Sequence, residues 1–460
     1  MIRILVASLA LAASPLAAQP LTPAETAAVD KLVADTLEET GVPAVSIAIV
    51  RDNRLVLAKA YGKASDTLGA ARPEQPYQIA SISKQFTAMA ALLLEDEGKL
   101  SLDDKVSKWL PGITDGDKIT VRQLLSHTAG LQDYWPQDYS FAAMERPTDP
   151  AAIIDRWARK PLDYRPGTRW QYSNTGYIVA GQIIEKASGE PLLAFIQRRI
   201  FTPLGMNVRN QDDNMTAAYP QGYERAALGP VRPVTWPGRG WMYATGQLAM
   251  SASDLAKWNI ARLTRTGLPI DDWAAQEEPV LRADGSSNGY GLGIYNRRQR
   301  DRRILSHGGA AVGFLTQNAV YPDSRAAITV FTNADFSGAS GDLLQGIEKI
   351  VLAGPDTAVV AGDRLADVRA LYAALVGGRL DRTKLTGNLN YYFNPSRTAD
   401  YRASLASLGT PEITLEGAPG LRGGFVNRIY KLKYASRELR LSTYAEPGEN
   451  GRWEQFMITP

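Results

Sequence analysis

Three short stretches carry residue types that can do chemistry together. The first is Ser81-Ile82-Ser83-Lys84. A spacing of three puts the serine and lysine on one helix face, about one turn apart. A serine hydroxyl is a weak nucleophile until a neighbour accepts its proton. A lysine can do so when burial brings its pKa down from the usual value of about 10.4. The bland alternative is a capping serine beside a surface lysine. The second stretch is Tyr172-Ser173-Asn174, preceded by Pro166-Gly167-Thr168. Tyr172 can shuttle a proton, and the Asn174 amide can position the lysine or a substrate. The same Y-x-N spacing recurs at Tyr392-Phe393-Asn394 without that lead-in, and it is read as a chance match. The third stretch is His307-Gly308-Gly309, followed by Ala310. Glycines at a strand end let a ligand approach the backbone. An N–H there can join that of Ser81 to hold a developing oxyanion. A glycine-rich turn with an incidental histidine is the competing reading.

These residues need elements to hold them. Residues 81–97 read as a helix that is apolar nearly all round (Phe86, Ala88, Met89, Leu92, Leu93, Leu94) and therefore buried, with Gly98 as its stop. Residues 22–41 show helical periodicity through Val29, Leu32, Val33 and Leu37. Residues 44–50 and 54–61 are β-rich runs joined by a hairpin signal at 51–53. Strand character returns at 290–295, 304–306, 317–321 and 326–332. Strands at both ends with helices between predict an antiparallel sheet assembled from both ends of the chain, carrying a helical insert. Past residue 352 the character changes. Residues 363–376 read as helical, and the chain is aromatic- and β-rich from 391 onward. Residues 360–460 are expected to form a small separate α+β domain.

Composition narrows the function. The 460 residues suggest more than one folding unit. A net charge of +3 gives no reason to expect nucleic acid as a partner. There is no cysteine, and the two histidines, His127 and His307, lie far apart. Disulfides and thiolate chemistry are therefore excluded, and neither a metal nor any other cofactor is expected. Arg3, an apolar run from Ile4 to Leu11 and Pro15-Leu16-Ala17-Ala18 read as a signal peptide over residues 1–18, too short to span a membrane. That predicts a secreted or periplasmic protein. The basic run from Arg297 to Arg303 is read as the solvated cap of a hairpin. His127 is read as a structural residue holding a loop. Trp236, Trp241 and Tyr243 are candidates either for a cleft wall or for the core.

Taken together and in this order, the three motifs resemble those of the serine β-lactamase and penicillin-binding-protein superfamily. The resemblance is closest to its class C β-lactamase-like branch of esterases and D-stereospecific peptidases. It extends over about residues 25–350 and includes Ser126-His127-Thr128-Ala129-Gly130-Leu131 and Tyr290-Gly291-Leu292-Gly293. The resemblance implies an α+β (α/β) fold: a β-lactamase/transpeptidase-like antiparallel sheet flanked by helices, spanning residues 19–352. It implies that Ser81 is acylated, that Lys84 and Tyr172 share the acid and base roles in an order left open, and that Asn174 assists. It also implies that the N–H groups of Ser81 and Ala310, beside Gly309, form an oxyanion hole. His307 would then stand where β-lactamases carry a substrate-binding lysine. A neutral imidazole grips a carboxylate less well than an ammonium. This favours a small ester or peptide substrate over a β-lactam-like one, with a β-lactamase or a catalytically idle penicillin-binding module as rivals.

Overall fold

The computed structural model describes residues 20–137, 139–210, 219–299, 302–352, 362–448 and 450–460. The expected signal peptide, residues 1–18, lies outside the described residues. The chain divides into two compact units, residues 1–352 and 353–460.

The first unit opens with helix α1 (Pro23–Thr40), which the sequence caps at both ends. Thr22 accepts from the Glu25 N–H while the Glu25 carboxylate accepts from the Thr22 N–H, and Gly41 closes the helix in the left-handed conformation. Strand β1 (Ala44–Arg51) and strand β2 (Arg54–Ser65) form a hairpin. Its turn residues Asp52 and Asn53 both have positive φ. The strand order across the seven-stranded sheet is Gly69–Ala70, β2, β1, Ala326–Thr332, Phe314–Tyr321, Arg302–Ala311 and Tyr295–Gln299. Every neighbouring pair is antiparallel. The sheet joins the two ends of this unit where β1 pairs with Ala326–Thr332, placing Ser46 opposite Phe331.

Both faces of β1 are covered, so seven of its eight residues are buried. Val45, Ile47 and Ile49 pack with Val29 and Val33 of α1 and with Leu343 and Ile347 of the helix Ala339–Val351. Ala48 and Val50 belong to the other core, with Phe86 and Leu255. That second core contains helix α2 (Lys84–Asp96), which is buried from Lys84 to Leu94.

Two elements differ from the sequence expectation in this unit. The segment expected as one helix from residue 81 begins as a 3-10 turn, Ala80–Ser83, before α2 takes over at Lys84. Residues 290–294 fold back on themselves rather than extend. Gly291 N–H donates to the Ile294 carbonyl, and the strand starts at Tyr295. Gly293 explains this: its φ is +76°, and a Cβ there would stand 2.7 Å from the Lys84 carbonyl oxygen.

The second unit has a four-stranded antiparallel sheet in the order Glu412–Arg422, Phe425–Lys433, Glu438–Ala445 and Trp453–Thr459. Its core includes Val368, Leu375, Phe393, Tyr430 and Phe456. Residues 391–406, expected to be β-rich, are mostly helical. Thr386 caps Gly387–Tyr392, and Asn394 caps Pro395–Ala406 with proline in its first turn. The caps and the proline override the β preference of the aromatics. Asn394 of the second Y-x-N is thus a helix cap. Among the described residues no helix is long and apolar enough to cross a membrane.

The first turn of α2 rests on a buried ionic cluster. Glu277 pairs with Arg262 at 2.9 Å, Arg265 at 2.6 Å and Arg303 at 2.9 Å. The Glu277 and Arg262 side chains are 2% and 1% exposed. Arg262 also donates to the side-chain oxygens of Gln85 and Gln276, and Gln276 donates to the Gln85 carbonyl. Arg303 therefore does not share the solvated role expected of its basic run. Its charge is used to complete this cluster. Removing Glu277 leaves the Arg262 charge buried and uncompensated beside two partly exposed arginines, and breaking a buried pair in this way costs about 3–5 kcal/mol. Glu277→Ala should lose that much stability in urea unfolding followed by tryptophan fluorescence. Trp453 is the only tryptophan beyond residue 352, so the signal reports on the first unit. A loss under about 1 kcal/mol would show that the arginines find other partners.

Candidate active site

Ser81 sits in the 3-10 turn that feeds α2. Ala80, immediately before it, has φ +46°, a conformation that costs a non-glycine residue free energy and that the surrounding packing must hold. Two neighbours do so. Ile79 N–H donates to the Leu248 carbonyl, and Thr316 Oγ1 donates to the Ile79 carbonyl at 3.2 Å. The strand Arg302–Ala311 lies hard against this turn at Gly309. A Cβ on Gly309 would fall 2.2 Å from the Ile79 oxygen, so only glycine permits the approach. Ala310, the next residue, is exposed.

Four of the residues singled out from the sequence meet in one hydrogen-bonded cluster. Lys84 Nζ lies 3.0 Å from Ser81 Oγ, 2.9 Å from Asn174 Oδ1 and 2.9 Å from the Thr245 carbonyl. Tyr172 Oη donates to Ser81 Oγ at 2.7 Å. Asn174 begins the helix Asn174–Ser188. Its amide is oriented by Asp133, which accepts from the Asn174 backbone N–H at 3.0 Å and from Nδ2 at 3.2 Å. Lys84 Nζ also lies over the Tyr172 ring, 4.9 Å from its centre.

The protonation states follow from burial. Lys84 is fully buried, and burial pulls its amine down to about 7, with the Asp133 carboxylate pulling the other way. Burial pushes the Tyr172 phenol well above its ordinary range, with the Ser81 hydrogen bond opposing. A neutral amine has two N–H donors and one lone pair. Here Asn174 Oδ1 and the Thr245 carbonyl can only accept, so they take the two hydrogens. The lone pair is left facing the Ser81 hydroxyl. In that state the Lys84 lone pair stands 3.0 Å from Ser81 Oγ, and Tyr172 stays protonated.

His307 departs from the role the resemblance implies. It is buried, and both ring nitrogens face protein partners: Nε2 lies 3.0 Å from Tyr290 Oη, and Nδ1 lies 2.6 Å from the Gly308 carbonyl oxygen. Burial, reinforced by the Lys84 charge, pulls its pKa to about 4. Neither nitrogen is left for a substrate carboxylate. His127 is buried as well. Its carbonyl accepts from Gln171 N–H and Tyr164 Oη, and its Nδ1 accepts from Ser173 N–H. Of the aromatics, Trp241 is buried, Trp236 stacks on Phe314, and Tyr243 Oη accepts from Gln182. Among the described residues no group of three or more His, Asp or Glu is placed to hold a metal ion.

Sequence reasoning missed Asp133, Thr245 and Tyr290. Asp133 follows the Gly130-Leu131 end of a quoted stretch, and Tyr290 opens another, so both lay within reach of the signal. Thr245 contributes a backbone carbonyl, which no residue type announces.

The family model for beta-lactamase matches residues 29–349. Penicillin-binding protein 4* of Bacillus subtilis is 30% identical over 275 residues, covering 56% of this chain and 61% of that protein. D-aminopeptidase of Brucella anthropi is 28% identical over 333 residues, covering 68% of this chain and 60% of that protein. The chain thus spans about three-fifths of the length of both relatives. Among solved structures, a D-stereospecific amidohydrolase from Streptomyces sp. superposes with a TM-score of 0.62 at 27% identity, over 71% of this chain and 99% of that one. With a match that takes in most of the chain and an S-x-x-K serine whose lysine and tyrosine both reach its oxygen, this protein belongs to the beta-lactamase family of serine hydrolases.

Proposed function

We propose that this chain is an exported hydrolase that cleaves a small ester or peptide amide bond through an acyl-enzyme on Ser81. In this reading residues 19–352 form the catalytic domain, and residues 1–18 direct export. The observation that carries the reaction type is the closed set of partners around Lys84, which leaves its lone pair for the Ser81 proton. Ser81 Oγ attacks the carbonyl carbon, and Lys84 takes the serine proton. Tyr172 gives its proton to the leaving oxygen or nitrogen as that bond breaks, and the Lys84 ammonium restores the phenol. Water then hydrolyses the ester by the same route in reverse. The N–H groups of Ser81 and Ala310 are assigned to the developing oxyanion.

Two features support an ester or amide over a β-lactam. The third motif supplies no fixed positive charge, because His307 is held neutral and engaged. The D-aminopeptidase and D-stereospecific amidohydrolase relatives point to small amides of D-amino acids as the substrates to try first.

A fluorophosphonate should label Ser81, and Ser81→Ala should abolish both labelling and turnover. In a panel of chromogenic esters, D- and L-aminoacyl anilides and a chromogenic cephalosporin, the cephalosporin should have the lowest kcat/KM. If it has the highest, the β-lactamase reading replaces this one. Labelling with no turnover of any substrate would favour the idle penicillin-binding module.

The base assignment makes a separate prediction. Lys84 must be neutral to act, so kcat/KM should rise with pH through about 7 and level off above it. Arginine keeps the charge but cannot give up a proton. Lys84→Arg should therefore lose about 10²- to 10⁴-fold in kcat at every pH. Activity recovering in that variant at high pH would assign the base to Tyr172.

A further inference from the structure

We propose that Tyr290 is a positioning residue, which holds the Tyr172–Asn174 segment and the Gly308–Ala310 strand in one fixed relation to Ser81 through a one-way hydrogen-bond chain. The proposal rests on the reaction assigned above, but the chain itself is defined by geometry.

The direction of the chain is set at its two ends by backbone groups that cannot change roles. At one end Ser173 N–H points at His127 Nδ1, 3.1 Å away. A backbone N–H only donates, so Nδ1 must accept, and a neutral His127 must carry its proton on Nε2. That Nε2–H faces Tyr290 Oη at 3.2 Å. At the other end His307 Nδ1 faces the Gly308 carbonyl at 2.6 Å. A carbonyl only accepts, so Nδ1 carries the proton and Nε2 must accept. The Tyr290 hydroxyl, 3.0 Å away, supplies that hydrogen. Tyr290 therefore accepts from one imidazole and donates to the other, and no other assignment of protons on the two neutral rings satisfies all four contacts.

The chain ends where the chemistry begins. Ser173 lies between Tyr172 and Asn174, and Gly308 adjoins Gly309, the residue packed against the Ser81 turn. The His127 ring also lies against Tyr172, with centres 4.2 Å apart and planes inclined by 32°. Tyr290, His127 and His307 are all buried, so a broken link is not repaired by bulk water. Burial, reinforced by the Lys84 charge, lowers both imidazoles and favours the neutral rings that the chain requires. The other groups facing the chain are the neutral phenols of Tyr172, Tyr177 and Tyr295.

The test uses the fact that this chain has only two histidines. With ¹⁵N-labelled imidazoles, the full-length protein at pH 6 should show one ring protonated on Nε2, assigned to His127 by its loss in His127→Gln, and one protonated on Nδ1. In Tyr290→Phe His307 should keep its proton on Nδ1, held by the Gly308 carbonyl, while its unprotonated Nε2 loses its hydrogen bond and that ¹⁵N resonance moves. The same substitution should also slow fluorophosphonate labelling of Ser81 by about 10- to 100-fold, the range expected for a misplaced catalytic group, while the final stoichiometry is unchanged. A wild-type His307 carrying its proton on Nε2, or charged at pH 6, overturns the proposal even if the variant fails to fold. So does a Tyr290→Phe protein that labels at the wild-type rate. A wild type with the expected tautomers and Ser81 labelling but no ester or amide turnover would refute the proposed reaction and leave the chain standing.

Discussion

The structure turns on one buried amine. Lys84 is in the first turn of α2, with no exposed surface, where a charged ammonium is costly and a neutral amine is tolerated. Two fixed acceptors take its hydrogens and leave its lone pair directed at Ser81. The rest of the unit holds that geometry. The apolar helix excludes water. Asp133 fixes which end of the Asn174 amide faces the lysine. Gly293 lets a turn close over the Lys84 carbonyl. The Glu277 cluster holds Gln85, the next residue, by both its backbone and its side chain.

The main elements were legible in the sequence because their signals are local. The capped α1, the Asp52–Asn53 turn, and a helix too apolar to be exposed each follow from a few adjacent residues. The antiparallel sheet drawn from both ends followed from the order of strands and helices. Legibility failed where a distant contact decides the local form. Residues 290–294 have strand composition, yet fold back because Gly293 must clear the Lys84 carbonyl, some two hundred residues earlier. Residues 391–406 have aromatic β preference, yet Asn394 and Pro395 start a helix there. In these places packing or capping outweighs propensity.

The same distinction applies to the site. Ser81, Lys84, Tyr172 and Asn174 could be named because serine, lysine and tyrosine at those spacings suggest chemistry. Asp133 and Tyr290 act through other residues, and a residue that positions another leaves no chemical signature of its own. His307 shows the opposite error. Its place in the motif suggested a substrate contact, but its ring nitrogens face Tyr290 and the Gly308 carbonyl. Residue type was informative there, but contact had to be seen.

Charge couples the neutral histidines to Lys84. Burial lowers both His127 and His307, and the Lys84 charge lowers them further. Such coupling is mutual: a cationic imidazole at either place would depress Lys84 in turn. An amine driven much below its present value of about 7 would hold a proton too weakly to remove one from serine. Asp133 opposes the burial of Lys84 from one side. The histidines contribute by remaining uncharged on the other. A fixed cation at the third motif would serve a substrate carboxylate at the expense of this balance. Here the position is occupied by a neutral ring tied into the protein, and the lysine's basicity is left to burial and one carboxylate.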